Sequence, residues 1–327
     1  MTGVKGLSGL KKLVRPHPDI TRIHKRPVLK RIQMNWQLYV LVFLPVAYII
    51  VFHYVPMYGA QIAFKNFRVT LGISGSPWVG FEHFIRFFNS FEFSRIMVNT
   101  IVISLYSLFV GFPFPIILAL LLNYIVSRRF KKSVQMVTYA PHFISTVVMV
   151  GMILQFLSPQ VGVINNIIES LGGERVNFMG NADYFRHIYV WTGVWQSAGF
   201  NSIIYMAALA GVDPQLHEAA LVDGATKLKR IWHIDLPCIM PTAVILLILN
   251  CGFILSVGFD KVFLMQNPIN LRVSEIISTY VYKTGLASQS VNYSYPAAIG
   301  LFQSLVGFIL LLIVNFFAKR VSETSLW

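Results

Sequence analysis

Glu218–Pro237 reads EAALVDGATKLKRIWHIDLP, a polar stretch between two hydrophobic runs that are each long enough to cross a bilayer. Asp213-Pro214 opens it as a helix start, because an aspartate side chain can cap free amides and proline is tolerated in a first turn. Leu216, Ala219 and Ala220 then recur at helical spacing. Asp223-Gly224 reads as a turn, since glycine takes backbone angles that other residues resist. Leu228, Ile231 and Trp232 form an apolar stripe opposite Lys229 and Arg230, and Pro237 ends this second helix or kinks it into the next apolar run. The spacing predicts two short helices joined by a glycine turn at a membrane face, a shape suited to docking.

The rest of the chain supplies the membrane. At 327 residues, 55% hydrophobic and 12% charged, it is too apolar for an ordinary soluble protein. A net charge of +14 could suggest nucleic acid, but its placement argues for a membrane protein with no nucleic-acid partner. Nine Lys or Arg precede residue 35, and Arg128, Arg129, Lys131 and Lys132 crowd one short loop, as the positive-inside rule expects of cytoplasmic segments. Cys238 and Cys251 sit on one predicted helix, about 20 Å apart, too far for a disulfide. No cleavable signal peptide is evident, so the first apolar run is expected to be an uncleaved anchor.

Six runs satisfy the need for about twenty apolar residues per helical crossing. They are Trp36–Met57, Ile96–Ile125, Met136–Leu157, Ile188–Gly211, Ile239–Gly258 and Pro296–Ala318. The fold class is therefore an all-α integral membrane protein with six transmembrane helices. A basic tail (1–35) precedes a first span and outer segment (36–95), a core (96–318) holding the polar loop 212–238, and a short tail (319–327). With the basic tail in the cytoplasm, the loop and both termini fall inside. Residues 260–295 carry a helical stripe of Val273, Ile276, Ile277 and Tyr280 beside Glu275 and Lys283. Two readings stand for it: an interfacial helix on the outer face, or a cover over the bundle end.

The predicted spans carry no Asp, Glu, Lys or Arg, only His53 and His142, with Asp260 at one end. Ion-coupled transporters usually keep an intramembrane ionisable relay, so proton coupling is disfavoured. The sequence has no G-x-x-x-x-G-K-[ST] phosphate loop, no H-E-x-x-H, no G-x-S-x-G and no paired-cysteine metal spacing. No catalytic residue, no bound metal and no resident cofactor are expected. Instead the spans hold neutral polar and aromatic groups: Tyr139 and His142, then Trp195, Gln196, Ser197 and Asn201, then Asn250 and Ser256, then Gln303. Such a path suits sugars, whose hydroxyls seek hydrogen bonds and whose C–H faces stack on rings. The same residue types also join helices to one another without touching cargo.

Glu218, Ala219, Ala220, Gly224, Ile234, Leu236 and Pro237 fall at the spacing of the EAA loop, and the chain thereby resembles permease subunits of ABC importers. Trp78–Thr100, Tyr139-Ala140-Pro141 and Tyr280–Phe302 resemble the carbohydrate branch, closest to permeases for oligosaccharides and polysaccharide fragments, a group that includes alginate importers. The likeness covers roughly residues 36–318. It implies a bacterial inner-membrane subunit paired with a second permease, two ATPase copies that bind ATP and magnesium, and an extracytoplasmic solute-binding protein. It implies that Glu218 pairs with basic residues of an ATPase cleft, and that Ala219, Ala220, Asp223, Gly224, Ile234, Leu236 and Pro237 shape that contact. By offset from the prolines, Asn201, Asn250 and Phe253 fall where the maltose-type permease lines its sugar site, and His142 by its place after Pro141. Gln196, Ser197 and Ser256 complete the expected path. The rival readings are a stand-alone channel or secondary transporter carrying a helical hairpin, a permease for a non-sugar cargo, and, more distantly, a membrane enzyme.

Overall fold

The computed structural model describes residues 33–288 and 292–321, so most of the basic tail and the last six residues lie outside it. Among the described residues there is no strand, only an isolated bridge between Lys65 and Trp78. The chain divides into two compact units, Met1–Gly59 and Ala60–Trp327. The first unit holds α1 (Trp36–Ile49), which runs into a π-helical turn, Ile50–Tyr54, two residues before Pro56.

The second unit is a helical bundle. α2 (Phe91–Gly111) runs on into α3 (Pro113–Asn123), with Phe112 still in helical angles, so Pro113 and Pro115 enter a first turn rather than break the span. After α4 (Arg128–Tyr139) and α5 (Thr146–Phe156) comes α6 (Ala182–Ala210), 29 residues long, at the centre of the bundle. The polar loop contributes α7 (Pro214–Val222), and α8 (Leu236–Gly252) follows. α9 (Phe259–Met265), α10 (Ile277–Gly285) and α11 (Ser294–Val321) complete the unit.

Among the described residues four helices are long and apolar enough to cross a membrane: Trp36–Phe64, Phe91–Asn123, Lys227–Gly252 and Ser294–Arg320. The expected straight third span is instead bent by 103° between Arg128–Phe143 and Thr146–Phe156, and counts as a fifth only if the pair is one crossing. The bend has a local cause. Pro141 tightens the chain into a 3-10 turn, Ile144 is extended, and Ser145 starts a new helix by accepting the Val148 amide. The expected fourth span corresponds to α6, which hydropathy does not single out. A central helix packed by neighbours needs no apolar coat, and α6 buries Val190, Val194, Tyr205 and Leu209 while carrying Gln196, Ser197 and Asn201.

Among the described residues three apolar clusters hold the bundle, one of them Phe87, Ile96, Ile277, Tyr295 and Ile299. At the end nearer α7, Ala119 and Leu120 of α3 meet Tyr205 and Leu209 of α6 and Ile239 and Ala243 of α8. At the opposite end Ile103, Val150, Phe185, Val262, Met265 and Ile276 form a second core. α4 crosses α6 so closely that a Cβ on Gly199 would lie 2.0 Å from the Thr138 carbonyl oxygen, the small-residue packing that membrane helices use.

Of the two readings of 260–295, the cover is the one observed. Ile276 and Ile277 are fully buried, and Glu275 is buried between Arg95 and Lys283. Asn99 of α2 donates to the carbonyls of Arg272 and Glu275 and accepts from Arg186 of α6. Thr100 accepts the Ile277 amide. This seam ties α2, α6 and the cover together through long-range hydrogen bonds, while Arg95 Nε and Arg186 Nε are buried without a hydrogen-bond partner among the described residues.

Candidate functional site

The polar loop is built as the spacing predicts at its first half. Asp213 caps α7 by accepting the Gln215 amide at 2.9 Å. α7 then stops in a Schellman motif: Ala225 N–H reaches Ala220 O at 2.8 Å and Gly224 N–H reaches Leu221 O at 3.1 Å. That motif needs a left-handed residue, and Gly224 supplies it with φ of 72°.

The second half departs from the expectation. The predicted second short helix is the near end of one continuous helix, Lys227–Gly252, and Pro237 neither ends nor breaks it. A π-helical turn, Ile231–Asp235, precedes Pro237 by two residues, the same interval as before Pro56. Leu236 N–H bonds back to Ile231 O, one residue further than in an α-helix. The wider turn removes the clash that a proline ring makes with the carbonyl four residues earlier.

Glu218, Ala219, Asp223 and Gly224 stand exposed around the turn, and the apolar side chains of Leu221, Val222, Leu228 and Trp232 are also exposed beside them. Behind this surface lies a buried polar knot that the sequence reading did not single out. Asp235 is completely buried, accepts the Tyr124 hydroxyl at 2.6 Å and has His217 Nε2 3.2 Å away. Arg230 stacks over the Tyr124 ring at 5.6 Å. Burial, then the hydrogen bond and charge of Asp235, push the Tyr124 hydroxyl up to about 12, so it remains a donor. The knot fixes α7 to the π turn and to the end of α3. An aspartate inside an otherwise apolar run was the only signal for it.

Further along the bundle lies a cavity of about 450 Å³. Its walls include Ser104 and Ser107 of α2, Tyr189, Ser197 and Asn201 of α6, and Asn250, Phe253 and Ser256 at the end of α8. Ser197, Asn201, Asn250, Phe253 and Ser256 are thus brought together as the sequence path grouped them. Asn201, Asn250 and Phe253 are exposed there. Gln196 lines an adjoining cavity of about 340 Å³ and donates to Ile144 O at the bend. His142 lines neither cavity; it stacks face to face on Phe200, ring centroids 3.9 Å apart. Ser104 and Ser107, three residues apart on an apolar helix, were legible as a polar stripe and were missed. The cavities offer hydroxyls, amides and rings, a surface for a neutral polar ligand with apolar faces. Among the described residues no group of His, Cys, Asp and Glu could hold a metal ion.

A long polar-lined path and an exposed hairpin on one helix define a membrane transport subunit. Residues 88–323 match the family described as binding-protein-dependent transport system inner membrane component. The chain belongs to this family and is a permease subunit of the ABC type. It is 44% identical to the polygalacturonan/rhamnogalacturonan transport system permease protein YteP of Bacillus subtilis (strain 168), over 93% of this chain and 94% of YteP. It is 28% identical to the arabinooligosaccharides transport system permease protein AraP of the same organism, over 72% of this chain and 73% of AraP. Among solved structures, it resembles a bacterial ABC transporter involved in the import of the acidic polysaccharide alginate. There the TM-score is 0.83 and the identity 40%, over 90% of this chain and 99% of that one. A bacterial alginate ABC transporter in complex with alginate pentasaccharide-bound periplasmic protein matches with TM-score 0.84 and 39% identity, over 91% of this chain and 99% of that one.

Proposed function

We propose that this permease carries oligosaccharide fragments of an acidic polysaccharide inward across the bacterial cytoplasmic membrane. The observation that carries this reading is the cavity where Asn201, Asn250, Ser197, Ser256 and the rings of Tyr189 and Phe253 converge. Hydroxyl and amide groups there can exchange hydrogen bonds with sugar hydroxyls, and the rings can cover sugar C–H faces. The acidic polysaccharides named for YteP and for the alginate transporters support the cargo class.

Cargo contact by these residues, and by Gln196 and His142, is part of the proposal. So is coupling through Glu218 and the surface around Gly224 to a partner that hydrolyses ATP. In this reading a second permease closes the open side of the cavity, two ATPase subunits dock on the hairpins, and a solute-binding protein delivers cargo to the opposite face. The termini and the hairpin face the cytoplasm, as the basic clusters require. ATP-driven closure of the ATPase pair would shift the permease between two packed arrangements that differ in affinity for it.

The reading is tested by purifying the tagged protein in mild detergent with whatever accompanies it, then measuring ATPase stimulation by oligosaccharides with the binding protein present. Recovery of a P-loop ATPase and a second permease, with stimulation by an oligosaccharide, is the expected result. A protein that comes out alone and conducts without ATP would sink it.

A further inference from the structure

Lys261 was expected in an outer loop. It lies instead against the side of the central helix. Its side chain, on α9, is buried, donates to Tyr189 O at 2.8 Å and sits 4.8 Å from the Tyr189 ring centroid. A Cβ on Gly193 would be 3.4 Å from its ammonium nitrogen. Gly193 is eleven residues into α6, so the ammonium lies about 16 Å along that helix from the cover end. It helps line the cavity of about 340 Å³ with Ser107, Thr146, Gln196, Ser197 and Asp260. Ser107, Tyr189 and Ser197 also line the larger cavity, so the two adjoin.

A buried ammonium normally has a counter-charge, because removing it from water is costly. Among the described residues no carboxylate pairs with Lys261. Asp260, its chain neighbour, lines the same cavity but makes no ion pair with it. One carbonyl and one ring leave ammonium protons free to face the cavity. Burial pulls the group down to about 7, well below the ordinary lysine range.

We infer that Lys261 is a cargo-selecting cation, binding the carboxylate of a uronic-acid unit before the sugar reaches Asn201, Asn250 and Phe253. The inference rests on the carbohydrate reading above and adds a residue and a charge to it. The missing counter-ion is then supplied by the cargo itself.

The test uses the complete complex with its binding protein in proteoliposomes, given galacturonate and mannuronate trisaccharides or their methyl esters. A charge-assisted hydrogen bond predicts that Lys261→Gln lowers the acid-to-ester uptake ratio about ten- to hundredfold, with partial recovery in Lys261→Arg. An unchanged ratio in Lys261→Gln overturns the role of Lys261 and leaves the carbohydrate reading standing. Uptake of neutral oligosaccharides only, by the wild type, overturns the role of Lys261 together with the acidic cargo class proposed above. A wild type that takes up no oligosaccharide at all overturns both. Should Lys261→Gln not assemble, acylation of Lys261 in the wild-type complex decides: protection by the acid trisaccharide and not by its ester supports the inference, and equal labelling overturns it.

Discussion

His217 Nε2 and Asp235 Oδ1 stand 3.2 Å apart, joining the first helix of the hairpin to the π turn of the helix behind it. Asp235 is completely buried, and its other oxygen takes the Tyr124 hydroxyl. Removing Asp235 leaves the Tyr124 hydroxyl without its acceptor, at roughly 1–3 kcal/mol. Asp235→Ala should therefore lower the melting temperature of the detergent-solubilised permease by several degrees, and Asp235→Asn, which keeps an acceptor, by less. Equal melting temperatures for wild type and Asp235→Ala would show that the knot is not structural.

Glu218 is exposed beside the turn and touches none of the buried knot. Glu218→Lys should leave melting and membrane insertion unchanged while cargo-stimulated ATPase activity and uptake fall at least tenfold. Wild-type uptake by this variant at normal expression would remove Glu218 from the coupling surface.

Gly199 admits no side chain, since its Cβ would fall 2.0 Å from Thr138 O. Overpacking of this kind costs about 1–3 kcal/mol. Gly199→Ala is expected to melt early, and Gly199→Leu to give little folded protein. Thermal melts of purified variants decide the point; a stable Gly199→Leu would mean that α4 does not cross α6 there.

Asn250 and Phe253 are exposed into the larger cavity. Asn250→Ala and Phe253→Ala should each reduce transport roughly tenfold, mainly through the cargo concentration needed for half-maximal uptake. Both should leave basal ATPase activity in place. An unaltered concentration dependence in both variants would move the cargo path elsewhere.

Much of this architecture was legible because membrane helices advertise themselves by length and apolarity. Glycine at Gly224 and aspartate at Asp213 announced the hairpin's turn and start through backbone chemistry that holds in any context. Ser197, Asn201, Asn250 and Ser256 could be grouped because polar residues are rare on such helices, and Phe253 joined them only through the family resemblance. Three features resisted. The 103° bend depends on a tight turn at Pro141 passing to an extended Ile144, a local contest that periodicity does not register. The passage of a helix through Pro237 depends on a π turn that leaves no pattern in hydropathy. Nothing in the sequence marks Lys261 and Asp235 as buried, whereas tertiary packing buries both.

The unbroken run from Lys227 to Gly252 has a mechanical consequence. Its 26 residues form a lever about 39 Å long, with the hairpin at one end and Asn250 in the cavity wall at the other. Pivoting it by about 10° about one end would sweep the other through roughly 7 Å, more than one helical turn rises. The π turn sits near the handle, where Asp235 pins it, and Pro241 lies within the arm beyond. Under the proposed coupling, a modest stroke at the hairpin would be geared to the width of the cavity.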